Sequence, residues 1–336
     1  MKHELFGTLK CGETVKIYTL KNEVLELSVM DRGATIVSLF VNGRDVVGGF
    51  DSLADYEKDS SYQGAVIGRV ANRVENGRFT MNGVTYQLPI NNGKNCLHGG
   101  TGFSCKVWQV LEASDEKITF EYTSPDGEDG FPATLTVRVS YVLSCASLII
   151  VYEAIPDGKT PISLTNHAYF NLDGFGGDVK NHSAVIYAEH YTEVNENLIP
   201  NGNHPEVSGT SFDFTSAHKI GERFNSNFDG YDHNYVLSPK LYEEFLGKKL
   251  GLAAEVFTKD LKMKVYTDQP GIQFYTANFL GNGPDFKGGV KQVKHGAFCL
   301  EAQTEPNSVN YGIGFYGKGE KYVQTTAYSF ERMENL

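Results

Sequence analysis

Five short stretches of the 336-residue chain concentrate groups that can exchange protons or pair with hydroxyls. They are Gly68-Arg69-Val70-Ala71-Asn72-Arg73, Asn95-Cys96-Leu97-His98-Gly99-Gly100, Leu164-Thr165-Asn166-His167-Ala168-Tyr169-Phe170-Asn171, Gly230-Tyr231-Asp232-His233-Asn234 and Phe298-Cys299-Leu300-Glu301-Ala302-Gln303. In each, a charged or proton-exchanging side chain sits beside apolar neighbours. Burial favours the uncharged forms of carboxyl and imidazole groups and so shifts their pKa values, the means by which general acid–base groups are tuned. One such His or Glu alone is more often a hydrogen-bonded core residue than a catalyst, so the weight rests on the combination.

Other chemistries leave weaker traces. Gly312, Gly314 and Gly317 spell a Gly-x-Gly-x-x-Gly string, but Lys318-Gly319-Glu320 and another strand follow it, where a dinucleotide site needs a helix; it reads as a turn. The Walker pattern, H-E-x-x-H and G-x-S-x-G are absent from the sequence, which lowers the prior for nucleotide hydrolases, zincins and α/β-hydrolases. Cys11, Cys96, Cys105, Cys145 and Cys299 form an odd, widely spaced set with no C-x-x-C pair, and read as reduced thiols. No metal and no cofactor are expected. The formal charge of -11 repels polyphosphate and anionic lipid, so a neutral small molecule is the expected partner rather than nucleic acid or a membrane surface. The N-terminal residues lack a secretory apolar stretch, and the longest uncharged apolar run, Tyr141 to Tyr152, is too short to span a bilayer; a cytoplasmic location is expected. The triplet Asn181-His182-Ser183 matches a glycosylation acceptor but means little outside a secretory route.

These groups must be held by strands. Period-two alternation runs through Ile118–Tyr122, Leu135–Tyr141 and Val323–Tyr328, the signature of strands with one wet face. Between such runs lie Asn-Gly pairs at Asn42, Asn76, Asn82, Asn92, Asn201 and Asn282, and Asp-Gly pairs at Asp126, Asp129, Asp157, Asp173 and Asp229, which reverse the chain. Helical patterning is confined to Leu53–Asp59 and Leu241–Leu246, each a turn or two. The expectation is an all-β, large antiparallel β-sandwich with few short helices, forming one domain over residues 1–336, because no linker or repeat divides it.

The ordered blocks Gly68-Arg69-Val70-Ala71-Asn72-Arg73-Val74-x-Asn76-Gly77-Arg78-Phe79, Leu97-His98-Gly99-Gly100, Thr165 to Leu172, Tyr231-Asp232-His233-Asn234, Pro270 to Phe279 and Cys299-Leu300-Glu301-x-Gln303 closely resemble those of the aldose 1-epimerase (galactose mutarotase) family. The resemblance implies a large β-sandwich whose concave face holds a monosaccharide, and interconversion of the α and β anomers of free hexoses without a cofactor. It implies Glu301 as base and His167 as acid, with His98 beside the same oxygen region, and Asn72, Arg73, Asp232 and Gln273 as sugar-binding residues. Arg73 is preferred to Arg69 on the same ground. Residue type alone does not separate His98 from His167 as proton donor. The apolar flank Phe298, Cys299 and Leu300 would raise the carboxyl pKa of Glu301, whereas Glu305, before Pro306-Asn307, has the context of a solvated loop carboxylate. Phe279 or Tyr169 could cover the apolar face of a sugar. The chain departs from the family in having Glu305-Pro306-Asn307 where Pro-Asp is common, which bears on sugar preference.

Three other readings stand beside this one. An inverting glycoside hydrolase would use Glu301 and Asp232 as its carboxylate pair. A carbohydrate-binding module would bind sugar without accelerating anything, and the presence of Glu301, His98 and His167 together argues against it. A phosphosugar epimerase would want a basic cluster, which the acidic balance does not favour.

Overall fold

Alternating burial decides the architecture. In the strand Leu135–Ser144, Leu135, Val137, Val139, Tyr141 and Leu143 are buried while the residues between them are half-buried or exposed, so one face must be covered by another layer. The computed structural model describes residues 2–333 and meets that need with antiparallel sheets. A ten-stranded sheet runs in the order Gln109–Ala113, Lys117–Ser124, Leu135–Ser144, Ser147–Pro156, Tyr322–Arg332, Leu261–Thr267, Lys248–Phe257, Ser183–Ile186 and His218–Lys219, with Tyr242–Phe245 paired beside Lys248–Phe257. A five-stranded meander covers Lys2–Thr8 to Arg44–Asp45, and a four-stranded sheet joins Ala188–Tyr191, Asp232–Leu237, Gly271–Tyr275 and Cys299–Gln303. Leu20, Leu27 and Ile36 of the meander, Phe120, Val137 and Ile150 of the large sheet, and Ile272, Phe274 and Leu300 of the four-stranded sheet share one apolar cluster. Each such buried side chain contributes ~1.5–3 kcal/mol relative to exposure.

The α-helix is the short one expected, Leu53–Lys58, with Ser52 as N-cap accepting from the Asp55 backbone N–H and Lys58 in the last turn. Leu241–Leu246 is not helical. Tyr242–Phe245 is a strand that reverses at Leu246-Gly247, both at positive φ, and pairs with Lys248–Gly251. Phe245 then joins Ile149, Leu250, Leu252, Tyr266 and Ala327 on the outer face of the large sheet; tertiary packing of one aromatic overrides weak helical patterning. No helix among the described residues is long and apolar enough to cross a membrane. All five cysteines are free thiols, Cys96 and Cys299 buried and the other three exposed.

Arg69 belongs to the scaffold. It is buried, and its guanidinium donates to the Ser124 hydroxyl, the carbonyls of Ser124, Pro125 and Pro132, and the Thr160 hydroxyl. Those bonds tie the segment before Asn72 to the large sheet and to two loops. Arg69→Ala leaves several buried acceptors without donors, and is expected to lower unfolding stability by about 3 kcal/mol. A urea midpoint equal to that of the parent protein would remove Arg69 from this role.

Candidate active site

Two-residue pairings and one sheet edge bring the chemistry together. Arg73–Val74 pairs with Cys96–Leu97, which sets Asn72 against His98. The His98 backbone N–H donates to the Asn72 carbonyl at 3.0 Å, and the Asn72 backbone N–H donates to His98 Nδ1 at 3.2 Å. Both residues lie at positive φ, 61° for Asn72 and 56° for His98, so the chain turns sharply at each. Thr165–Asn166 pairs with Val66–Ile67, and the backbone of His167 bonds to Ala65 and Gly64, which fixes the second imidazole.

The four-stranded sheet supplies the carboxylates. Glu301 lies opposite Gln273, which lies opposite Asn234. Side chains two apart share a face, so Asp232, Asn234, Gln273, Tyr275, Cys299, Glu301 and Gln303 all project to one side, while Tyr235, Ile272, Phe274, Phe298 and Leu300 enter the apolar core. The burial of Glu301 therefore comes from its cavity-side neighbours. Phe298 and Leu300 point the other way, and of the expected apolar flank only Cys299 shares its face.

A cavity of about 280 Å3 lies over this polar face, lined by Asn72, Arg73, Asn92, His98, His167, Tyr169, Asp232, Glu301 and the rim residues Ser60, Ser61, Tyr62, Leu97, Tyr275, Phe279 and Leu280. Glu301 is 2% exposed, and His167 Nε2 stands 3.7 Å from its Oε1. His98 and His167 meet edge to face, with centroids 5.2 Å apart, and Tyr169 stacks on the other side of His167. The His167 Nδ1 atom faces the buried Cys299 thiol at 3.6 Å. Asp232 is held from two sides: Gln273 Nε2 donates to one oxygen at 2.7 Å, and Arg73 Nη2 reaches the other at 3.4 Å. Arg73 is itself fixed through Nε to Asn92 Oδ1 at 3.1 Å.

Burial sets the protonation states. Desolvation, reinforced by the Asp232 charge and opposed by Arg73, pushes the Glu301 carboxyl well above the usual carboxylate range. Desolvation brings His167 down to about 4, and desolvation, with repulsion from any charge on His167 and from the Arg73 cation, holds His98 well below the usual imidazole range. Both shifts favour the uncharged form of each group, a protonated carboxyl beside a neutral imidazole, so burial favours a net-neutral pair with one proton. His98 accepts at Nδ1, so its proton sits on Nε2. Ligand atoms of His98, His167 and Glu301 all lie within 4.8 Å of one another, the donor set of a His2Glu metal centre. With the His98 proton on Nε2, that imidazole is set up to donate a hydrogen bond from this nitrogen rather than to ligate a cation through it.

The structure brings Glu301, His167, His98, Asn72, Arg73 and Asp232 to one cavity. Gln273 is not on its wall: it stands behind Asp232, buried, with its amide nitrogen committed there. Glu305 is apart from the cavity and pairs with His204 at 2.9 Å. Phe279 is 76% exposed at the rim, whereas Tyr169 is buried against His167. Asn92 and Tyr62 carried no chemical signal in the sequence: Asn92 read as a turn residue, and Tyr62 had no spacing to mark it; Cys299 read only as part of the apolar flank of Glu301.

With this geometry in place, the comparisons with known proteins can be read. Residues 16–329 match the family model described as aldose 1-epimerase. The chain belongs to the aldose 1-epimerase family. It is 39% identical to the galactose mutarotase of Sus scrofa over 338 residues, 97% of each chain, and 37% identical to the aldose 1-epimerase of Escherichia coli K12 over 339 residues, 95% of this chain and 96% of that one. Among solved structures, the galactose 1-epimerase of Lactobacillus acidophilus superposes with a TM-score of 0.86 at 26% identity, covering 99% of both chains. The fold expected from the strand pattern is the fold of this family.

The buried, neutral state of the imidazoles is directly measurable. Nitrogen-detected NMR of the unliganded protein at pH 6 is expected to show His98 as the Nε2–H tautomer and His167 uncharged. An imidazolium at either position under those conditions would contradict the desolvation argument.

Proposed function

We propose that Glu301 and His167 carry out the ring opening and closure of a free hexose such as galactose or glucose, so that the protein acts as an aldose 1-epimerase. The observation that carries this reading is a buried carboxyl and an imidazole 3.7 Å apart on the wall of a cavity sized for a small ligand. Glu301 in its carboxylate form takes the proton of the C1 hydroxyl while His167 in its imidazolium form gives one to the ring oxygen. The C1–ring oxygen bond breaks, C1 becomes an aldehyde, and rotation about C1–C2 presents its other face. The same two groups then run in reverse: the C5 hydroxyl loses its proton to His167 and Glu301 returns one to the carbonyl oxygen. The pair begins and ends with one proton, so no redox partner is consumed.

The reacting form, carboxylate with imidazolium, is the minor tautomer of the singly protonated pair, because burial favours the neutral form of each. His98, a fixed Nε2–H donor, supports negative charge on the reacting oxygens. Arg73 and Asp232, each held by other side chains, offer a paired donor and acceptor to sugar hydroxyls, with Asn72 beside them.

Polarimetry on freshly dissolved α-galactose and α-glucose tests the reading. Glu301→Gln is expected to slow catalysed equilibration by about 10^2- to 10^4-fold with the fold retained; full activity in that variant would exclude Glu301 as base. The pH profile is a separate check. The pair keeps its one proton from about pH 4, where His167 takes up a second, to the raised value of Glu301, where the last is lost. Rate is therefore expected to fall on the acid side near pH 4 and on the alkaline side above the ordinary carboxylate range. An acid-side step near the ordinary imidazole value of about 6.5 would contradict it.

A further inference from the structure

Hydrogen bonds leave the planes of the two imidazoles loosely set. His98 is held through one nitrogen, where Nδ1 accepts from the Asn72 backbone N–H at 3.2 Å. The nitrogens of His167 face the Glu301 carboxyl at 3.7 Å and the Cys299 thiol at 3.6 Å, both long contacts. Rotation about the Cβ–Cγ bond of such a ring is broad, so packing has to choose its plane. Proton transfer depends on that plane, because each nitrogen gives or takes a proton along a line within it.

Tyr62 supplies packing that reaches both rings. It meets His98 edge to face with centroids 4.7 Å apart, and lies 28° from parallel to His167 at 6.1 Å. Tyr169 and Tyr275 pack against His167 but not His98. Among the described residues, Tyr62 alone brings a ring to both imidazoles.

Core packing does not account for this placement. Tyr62 lies at φ 60° and has the largest side chain of the described non-glycine residues at positive φ, where bulky residues are rare. Gly or Asn would suit that backbone better. The residue is half-buried and belongs to none of the apolar clusters. No hydrogen bond to a described residue engages its hydroxyl. Tyr62 lines both the active-site cavity and a second one of about 190 Å3, whose other walls include Arg32, Asp59 and Cys105.

The strained turn is held from the side of His167. The Tyr169 hydroxyl donates to the Ser61 carbonyl at 3.0 Å. The Gly64 backbone N–H donates to the His167 carbonyl and the His167 N–H to the Ala65 carbonyl, each at 3.0 Å, and the Ala65 N–H closes the turn on the Tyr62 carbonyl at 3.1 Å. A strained residue whose conformation is overdetermined by its surroundings, beside reacting groups, points to a role for its side chain.

Resting on the proposed function, we propose that Tyr62 is a positioning residue: its ring, held in the left-handed region by the segment that carries His167, fixes the planes of His98 and His167 for proton transfer. Tyr62→Asn is the direct test, since asparagine keeps the backbone turn and removes the ring. In polarimetry on α-galactose, kcat is expected to fall about 10- to 100-fold with KM within about threefold of the parent. Tyr62→Phe returns the ring without the hydroxyl and is expected to recover kcat to within about threefold of the parent. Parent-like kcat in Tyr62→Asn, a Tyr62→Phe variant as slow as Tyr62→Asn, or a KM raised beyond threefold would overturn the proposal, the last outcome marking Tyr62 as a sugar contact. Where Tyr62→Asn does not fold, as judged by its melting curve, Tyr62→Gly, which suits the same φ, is used.

NMR of the carbon-bound ring protons of His98 and His167 keeps this test separate from the reaction. In the unliganded protein each imidazole is expected to give one sharp set of signals in the parent and in Tyr62→Phe, and broadened or doubled sets in Tyr62→Asn. Sharp single sets in Tyr62→Asn would overturn the positioning role whatever its rate. If the parent protein equilibrated no anomer, the proposed function would fall while the spectra still decided what Tyr62 does to the two rings.

Discussion

A carboxyl group and an imidazole 3.7 Å apart inside a buried pocket constrain everything around them. Taking an isolated carboxylate out of water costs several kcal/mol, and so does an isolated imidazolium. Held 3.7 Å apart, Glu301 and His167 avoid most of that penalty as a net-neutral pair. This places strict demands on the scaffold. The two side chains come from segments 134 positions apart in the chain (301 minus 167), and their separation must be kept within fractions of an ångström. A hydrogen-bonded strand on one side and a two-residue pairing locked by Ala65 and Gly64 on the other supply that stiffness.

The four-stranded sheet resolves a conflict between stability and chemistry by giving each its own face. Tyr235, Ile272, Phe274, Phe298 and Leu300 anchor the sheet in the apolar cluster, and the residues between them are free to be polar. A one-residue slip in register would drive Glu301 into the core and expose Leu300 to the cavity, so the apolar face also enforces the position of the polar one. Asp232 is the hub that links this sheet to the loops: through Arg73 it reaches the Asn92 turn, and through Gln273 it reaches the row that contains Glu301. Its charge also helps to keep a proton on Glu301.

The sequence reading succeeded where local pattern and chemistry coincide. Alternation in Leu135–Tyr141 and the capped turn at Leu53–Asp59 are local signals, and both elements formed. Leu241–Leu246 misled because its destination is set by Phe245 packing against Leu250, Leu252 and Tyr266 from elsewhere in the chain. The acid–base residues were legible as motifs, but their mutual distances were not. Gln273 illustrates the limit: an amide can pair with a hydroxyl or with a carboxylate, and its bond to Asp232 across the sheet depends on a register that no local pattern records. The histidine tautomer was equally hidden, since a backbone N–H from Asn72 determines it and no side-chain pattern records that.

The segment that departs from the family pattern, Glu305-Pro306-Asn307, shows how a substitution near an active site can leave its geometry intact. Asn307 sits at φ 62°, a left-handed conformation that asparagine tolerates better than most side chains. Its backbone N–H donates to the Arg73 carbonyl at 2.8 Å, and its Oδ1 accepts from the Glu75 backbone N–H at 3.0 Å and from Asn310 Nδ2 at 2.7 Å. The loop therefore braces the strand that carries Arg73 from behind. An aspartate could accept the same two hydrogen bonds, but it would place a negative charge there. The neutral amide keeps the bracing while leaving Asp232 as the carboxylate that meets the Arg73 guanidinium. Any effect of this segment on sugar preference thus runs through the backbone of Arg73, not through a direct contact of Asn307 with the cavity wall.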